Sequence, residues 1–120
     1  MSGQGSRVLV CGSRDWRDEQ LIEAVLRELS PWEIIHGGSR GADSLAGAVA
    51  GRLGILVKVF QAGWERHGRA AGPIRNEQML QEGHPDLVVA FHDDPGLGRG
   101  TADMVRRARA AGIPVRIVHH

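Results

Sequence analysis

Short apolar runs alternate with longer helix-compatible stretches along the chain, and this alternation limits the fold more than any other feature. The apolar runs predict strands at 7–11, 33–36, 55–60, 86–91 and 115–118. The stretches between them predict helices at 18–29, 42–53, 73–81 and 101–111. Strands and helices in this order form a parallel sheet, and right-handed crossovers leave few topologies. We therefore predict an α/β fold, a Rossmann-like three-layer sandwich whose five-stranded parallel sheet has the order 3-2-1-4-5 with helices on both faces.

Length and composition predict one globular domain. The 120 residues suffice for a single buried core over 7–120, and the Gly- and Ser-rich stretch 1–6 predicts a flexible tail. Cys11 is the only cysteine, which excludes an intrachain disulfide. No apolar run approaches the ~20 residues that span a bilayer. The formal net charge of +1 provides no overall attraction to nucleic acid or membranes, so we expect neither as a partner and expect a cytoplasmic protein.

Four polar, glycine-rich segments follow the predicted strands. They cover 12–16, 36–42, 61–72 and 92–100. Because the carboxyl ends of parallel strands share one edge of the sheet, these segments meet there, and ligands bind where the strand order reverses. In the predicted order the reversal lies between the first and fourth strands. We therefore expect a binding crevice near Gly12-Ser13-Arg14 and Gly98-Arg99-Gly100-Thr101.

Several of these turns have features of an anion site. Gly98–Thr101 opens a helix, whose free N–H groups and dipole attract phosphate. Gly37-Gly38-Ser39 is able to form a backbone concavity for an anion, and Asp43 falls in the first turn of the next helix. Gly12-Ser13 offers close backbone approach and a hydroxyl, and the Arg14 guanidinium suits phosphate or carboxylate. Each of these segments is equally compatible with a plain turn.

Aromatic residues and histidines near this edge each have two interpretations. Trp16 and Trp64 either stack on a base or pack at the core and rim. His36 and His92 end their strands, but no HxxxH or cysteine spacing accompanies them, so we expect no metal site. Thr101 fits a cap of the last helix. A GxxxxGK[ST] loop is absent and GxGxxG does not follow the first strand, so we expect no cofactor.

Four ordered motifs carry a resemblance to one family over 7–118. They are Gly12-Ser13-Arg14-Asp15-Trp16, His36-Gly37-Gly38-Ser39-Arg40-Gly41-Ala42-Asp43, Ala71-Gly72-Pro73-Ile74-Arg75-Asn76-Glu77-Gln78-Met79, and Ala90-Phe91-His92-Asp93 with Gly98-Arg99-Gly100-Thr101-Ala102-Asp103-Met104. The pattern resembles the YspA-like, cpYpsA-related family of the SLOG superfamily, which includes the Smf/DprA and Lonely-Guy groups and occurs in bacteria and phages. The resemblance implies a Rossmann-like SLOG domain, a nucleotide-type small-molecule ligand and a homodimer.

The resemblance also implies roles for particular residues. Lonely-Guy phosphoribohydrolases carry an Arg in an RKxxM helix, which Arg75-Asn76-Glu77-Gln78-Met79 matches, so the arginine inherits a phosphate or ribose contact. Gly98-Arg99-Gly100-Thr101 matches the GxGT core of their PGGxGTxxE turn. Leu97 replaces a glycine of that turn, and Met104 stands where the catalytic glutamate would be. Asp103 lies one position early, an offset of about 100° around a helix.

Three functions follow. The leading hypothesis is binding of a nucleotide or nucleotide-derived ligand, such as a nucleoside monophosphate or an ADP-ribose derivative. The alternative is a phosphoribohydrolase that cleaves the N-glycosidic bond of nucleoside 5'-monophosphates, with Arg75 and Asp103 as catalytic residues. A weaker alternative, by analogy with the DprA branch, is single-stranded DNA binding, which needs a basic groove. The candidate ligand-binding residues are Gly12, Ser13, Arg14, Gly37, Gly38, Ser39, Asp43, Arg75, Asn76, Gly98, Arg99, Gly100 and Thr101.

Overall fold

The computed structural model describes residues 6–120, and a parallel sheet forms its centre. The strands are β1 (Arg7–Gly12), β2 (Glu33–His36), β3 (Leu56–Val59), β4 (Leu87–Phe91) and β5 (Val115–Val118). They pair in the order β3-β2-β1-β4-β5, and each pair is parallel. β1 lies in the middle, where Leu9 pairs with Ile35 on one side and Val88 on the other. The predicted fold class and strand order are confirmed.

Helices connect the strands and cover both faces of the sheet. They are α1 (Glu19–Leu29), α2 (Ala42–Arg52), α3 (Trp64–His67), α4 (Ala71–Gly83) and α5 (Gly98–Ala110), with a 3-10 turn at Gly68–Ala70. α3 and the 3-10 turn lie within 61–72, for which we predicted a polar, glycine-rich link and no helix. These short elements were missed because four residues are too few to show an amphipathic period.

Two helices begin earlier than predicted. α4 begins at Ala71 rather than Pro73, and the proline fits as its third residue because the first N–H groups of a helix have no partner within it. α5 begins at Gly98 rather than Thr101. Leu97 precedes it in the left-handed conformation, with φ of 64°, and turns the chain directly into the helix. Thr101 therefore lies inside α5 and does not cap it.

Alternate residues of β1 enter two separate cores. Val8 and Val10 pack with residues of α1 and α2, whereas Leu9 and Cys11 pack with residues of α4 and α5. This follows from the strand period, which points successive side chains to opposite faces. Burial raises the pKa of the Cys11 thiol well above its usual value, so this cysteine is a neutral core residue. The two cores make the three layers of the sandwich.

The predicted tail over 1–6 falls almost wholly outside the described residues, which begin at Ser6. The Ser6 carbonyl accepts a hydrogen bond from the N–H of Trp32, at 3.1 Å. Within residues 6–120, no helix combines the length and the apolar character needed to cross a bilayer. A single domain over 7–120, a cytoplasmic location and a homodimer stay predictions.

Candidate functional site

The turn after β1 lies where the strand order reverses, and Ser13 ties it to two neighbours. The Ser13 N–H donates to the carbonyl of Phe91 at the end of β4, at 2.9 Å. The Ser13 carbonyl accepts from the N–H of Ala42 at the start of α2, at 3.0 Å. Gly12 lies against β4 with φ of +149°, and an ideal Cβ on it would lie 2.8 Å from the Phe91 nitrogen. The first turn is therefore locked to β4 and α2.

The glycine-rich turn after β2 is filled by a carboxylate of the protein itself. Asp43 in the first turn of α2 accepts hydrogen bonds from the N–H groups of Gly37, at 2.9 Å, and Ser39, at 3.5 Å. The N–H of Gly38 donates to Nδ1 of His36, at 3.0 Å. The predicted concavity is therefore present, but its amides bind Asp43 and His36 rather than facing an outside anion. An anion that used the N–H groups of Gly37, Gly38 and Ser39 would therefore have to displace these partners.

The pKa of the Asp43 carboxyl lies above its usual value. Burial raises its pKa to about 6, although hydrogen bonds from Gly37 and Ser39 and the charges of Arg75 and Arg14 act in the opposite direction. Asp43 is only 6% exposed, which explains why the effect of desolvation on the pKa is larger than that of the hydrogen bonds and the arginine charges. The contribution of Asp43 to the free energy of unfolding therefore depends on pH, because ionisation of this buried carboxyl is unfavourable.

We expect Asp43→Asn to remove one component of the pH dependence of stability. A folded-state pKa above the unfolded value means that the folded state keeps the proton longer, so stability falls as pH rises through this window. Relative to Asp43→Asn, the wild-type free energy of unfolding is expected to fall by about 2 kcal/mol from about pH 4.5 to pH 7. Urea denaturation of both proteins across this range measures the difference. Parallel pH profiles would contradict the assignment.

Arg75 on α4 lies across Gly37, and this is why the turn has a glycine there. Its Cζ is 2.6 Å from the position that a Cβ on Gly37 would take. Nη1 donates to the Gly37 carbonyl at 2.6 Å, and Nε donates to Oδ1 of Asn76 at 3.2 Å. Nη2 makes no hydrogen bond to any of residues 6–120, and it is not sealed from solvent. The guanidinium is thus held on two sides and keeps a nitrogen free for a ligand.

The charge of Arg75 is partly desolvated. Burial lowers its pKa below the usual value, the Asp43 carboxylate opposes this, and Arg14 acts in the same direction as burial. An arginine still keeps its charge at neutral pH under such conditions. A partly buried, geometrically fixed cation attracts a phosphate more strongly than a fully solvated one does.

Asn76 connects Arg75 to the beginning of α5. Its side chain is buried, its Oδ1 accepts from Arg75, and its Nδ2 donates to the Gly100 carbonyl at 3.2 Å and to Asp103 at 3.0 Å. Arg75 and Asn76 therefore join the turn after β2 to the beginning of α5. Arg75 and Asn76, which the motif over 71–79 indicated, contact each other directly.

Asp103 is already occupied by partners in the protein. One oxygen accepts from Arg106, and the other accepts from Arg107 at 2.8 Å and from Asn76. Burial alone would raise its pKa, but the hydrogen bonds from Asn76 and Arg107 outweigh burial and hold the pKa below its usual value. The Asp103 carboxylate is thus ionised and paired, and it positions Asn76.

The first turn of α5 presents donors to solvent. Gly98, Arg99 and Gly100 are exposed, and their N–H groups precede the first intrahelical partners. Thr101, by contrast, is buried. His92 directly follows β4 and lies beside this turn. Its Nε2 is 3.5 Å from the position that a Cβ on Gly98 would take, and its Nδ1 accepts a hydrogen bond from the N–H of Asp94. The predicted anion-binding amides of α5 therefore remain accessible.

Arg14 and Arg75 line two different cavities at this edge of the sheet. One of about 440 Å³ is lined by the turn after β1 and by α2, and includes Arg14, Arg17 and Arg40. The other, of about 610 Å³, is lined by 61–67 and by α4, and includes Arg75. Neither of these two cavities is lined by Gly98–Thr101, and the crevice that we expected between the first turn and Gly98–Thr101 stays a prediction.

Trp16 and Trp64, the two candidate stacking residues, have different surroundings. Trp16 is buried between Phe91, with ring centroids 5.5 Å apart, and a stacked His120 ring, 4.6 Å away. Trp64 is 51% exposed and lines the larger cavity. Trp16 is therefore a packing residue, as one of its two interpretations held, and Trp64 alone keeps a face open to a ligand.

Sequence reasoning missed the network around His120. Its ring nitrogens lie 2.9 Å from an oxygen of Asp93 and 2.8 Å from one of Asp18. Hydrogen bonds with these two carboxylates raise the pKa of His120 above its usual value. Asp93 and Asp18 lie 27 and 102 residues from His120, so no local sequence pattern predicts these contacts. Within residues 6–120, no group of three His, Cys, Asp or Glu residues is arranged to hold a metal ion, and this includes the His120 network.

The fold and this edge define a Rossmann-like α/β domain of the SLOG type. The chain belongs to the YspA, cpYpsA-related SLOG family, whose sequence model matches residues 6–67. It is 40% identical over 121 residues to the Gene 61 protein of Mycobacterium phage D29, which covers 91% of this chain and 93% of the phage protein. The family resemblance found in the sequence is confirmed.

Two further proteins are similar to this chain, one in sequence and one in structure. The bifunctional protein GlmU of Agrobacterium fabrum (strain C58 / ATCC 33970) is 33% identical over 79 residues, or 66% of this chain and 17% of GlmU. The structure of DNA processing protein A (DprA) from Streptococcus pneumoniae superposes with a TM-score of 0.69 at 18% identity. That match covers 94% of this chain and 50% of the DprA chain, and at this identity it shows the fold alone.

Proposed function

We propose that this protein binds a nucleotide or nucleotide-derived ligand, such as a nucleoside monophosphate or an ADP-ribose derivative, through its phosphate. The observation that carries the proposal is the Arg75 guanidinium, which Gly37 and Asn76 hold in place while one nitrogen stays free. It faces a cavity of about 610 Å³, which falls within the usual range for small-molecule sites. Arginine in a fixed orientation suits phosphate because its donors match the phosphate oxygens.

The exposed N–H groups at the start of α5 offer further donors for an anion, although no residue of α5 lines this cavity. Asn76 connects Arg75 to this turn, because its Oδ1 accepts from Arg75 and its Nδ2 donates to the Gly100 carbonyl, each at 3.2 Å. A helix N-terminus favours negative charge through its free N–H groups and its dipole. Ser13, Arg14 and the amides of Gly37 to Ser39 contribute to the architecture of this edge, and Arg14 faces the other cavity.

The same geometry argues against a hydrolase built on Asp103. A catalytic carboxylate must face the reacting sugar or its water, whereas both oxygens of Asp103 bind Asn76, Arg106 and Arg107. We propose a binding role for Arg75 and a positioning role for Asp103.

Calorimetric titration with AMP, ADP-ribose and NAD tests the proposal. We expect at least one of them to bind, and the absence of binding by all three at millimolar concentration would contradict it. A gel shift with single-stranded DNA over a salt series serves as the comparison. DNA binding that weakens steeply with salt, in a protein that ignores all three nucleotides, would favour the DNA alternative instead.

A further inference from the structure

The larger cavity combines a cation with an exposed aromatic ring. It lies between α3 and the first half of α4, and its lining includes Gln61, Trp64, Ile74, Arg75 and Gln78. Trp64 is 51% exposed and Ile74 is 45% exposed, although both are large apolar side chains. Apolar surface at the mouth of a cavity, beside a few polar groups, is typical of a site that receives a flat organic ring.

The Trp64 ring is held against the beginning of α4. Its Cη2 lies 3.5 Å from the position that a Cβ on Gly72 would take, which is an ordinary van der Waals distance and places the indole beside the first turn of α4. Gly72 precedes Arg75 by less than one helical turn. One wall of the cavity therefore carries the indole, and the same helix carries the guanidinium.

The other two tryptophans do not offer a comparable surface. Trp16 is buried, with a stacked His120 ring on it and the tilted Phe91 ring nearby. Trp32 lies before β2, at the opposite end of that strand from the candidate site, and the Arg7 guanidinium lies 4.6 Å above its ring. Trp64 is therefore the tryptophan that combines exposure with proximity to the anion-binding arginine.

We propose that Trp64 stacks on the base of the nucleotide whose phosphate Arg75 binds. This inference rests on the proposed function and adds the subsite that recognises the ring. Indole faces stack on any nucleobase, and the amides of Gln61 and Gln78 line the same cavity and both donate and accept hydrogen bonds. Stacking therefore supplies affinity for a planar ring, and the phosphate contact supplies orientation.

A comparison of AMP with ribose 5-phosphate isolates the ring. Both carry the phosphate and the sugar, and only AMP carries a base. We expect the wild type to bind AMP on the order of tenfold more tightly than ribose 5-phosphate. Trp64→Ala is expected to remove this preference and leave the affinity for ribose 5-phosphate unchanged, while Trp64→Phe keeps most of it. Trp32→Ala is the matched control and is expected to keep the full preference.

Tryptophan fluorescence provides a second readout that does not depend on the alanine variant being folded. AMP is expected to quench the emission of the wild type and of Trp32→Phe, but not of Trp64→Phe. Equal affinity of the wild type for AMP and ribose 5-phosphate, with both dependent on Arg75, would overturn the stacking and leave the proposed function standing. Binding of neither compound to the wild type would overturn the stacking, and if ADP-ribose and NAD also fail to bind, the proposed function is overturned with it.

Discussion

Replacement of Arg75 by alanine is expected to weaken AMP binding by about 10- to 100-fold. A hydrogen bond to a charged group contributes about 1.5–3 kcal/mol, and Arg75 brings both the charge and the free Nη2 donor to the phosphate. Arg75→Lys is expected to recover only part of the loss. An ammonium group keeps the charge, but it lacks the planar arrangement that lets Nη1 donate to Gly37 while another nitrogen binds the ligand.

Arg109→Ala is the matched control for this measurement. Arg109 is exposed in the last turn of α5, so its removal changes the net charge equally while leaving the candidate site intact. Calorimetric titration of the three variants and the wild type gives the dissociation constants, and circular dichroism checks that each variant is folded. If Arg75→Ala and Arg109→Ala bind AMP as the wild type does, Arg75 is not the phosphate-binding residue.

The largest loss of stability is expected from Gly12→Ala, at about 3 kcal/mol or more. Gly12 has φ of +149°, where a side chain is strained, and its Cβ would lie 2.8 Å from the nitrogen and 2.9 Å from the carbonyl carbon of Phe91. Both atoms belong to the backbone of β4, which pairs with β1 along five residues and cannot move aside alone. The substitution therefore forces the two central strands apart.

Gly51→Ala makes the same chemical change where there is space. Gly51 is exposed in α2, and a Cβ there meets nothing within 4 Å. Since alanine is the better helix former, this variant is expected to be more stable than the wild type by about 0.5–1 kcal/mol. Urea denaturation of both variants measures the difference. A Gly12→Ala protein as stable as the wild type would show that β1 and β4 tolerate separation at this end.

Local patterns sufficed for most of the fold. Each strand is a short apolar run between turn residues, and the handedness of crossovers reduces the orders that such runs are able to adopt. Element ends were harder, because they depend on single backbone conformations such as the left-handed Leu97 before α5. The four residues of α3 carry no periodic signal of their own.

The candidate site was predictable to a lesser degree. The motif around Arg75 indicated the residue that carries the proposed function. Asp103 and Arg107 are four residues apart on a helix, a spacing from which their pairing is predictable. The pairing of Asp103 with Asn76, 27 residues away, is not predictable from such a spacing. Local spacing reports the neighbours along a helix and no others.

Periodicity and turn chemistry act over a few residues, so the amino-acid sequence sufficed to place the five strands, the four longer helices and the glycine turns. Which polar groups remain free to bind a ligand depends on the tertiary structure. Asp43 occupies the amides of one turn, and Ser13 bonds to the end of β4. Arg75 keeps a nitrogen free of hydrogen bonds within residues 6–120 and lines the same cavity as Trp64. A hydrogen-bonding group is available to a ligand only if no distant part of the chain has already paired with it, and folding alone brings those distant parts together.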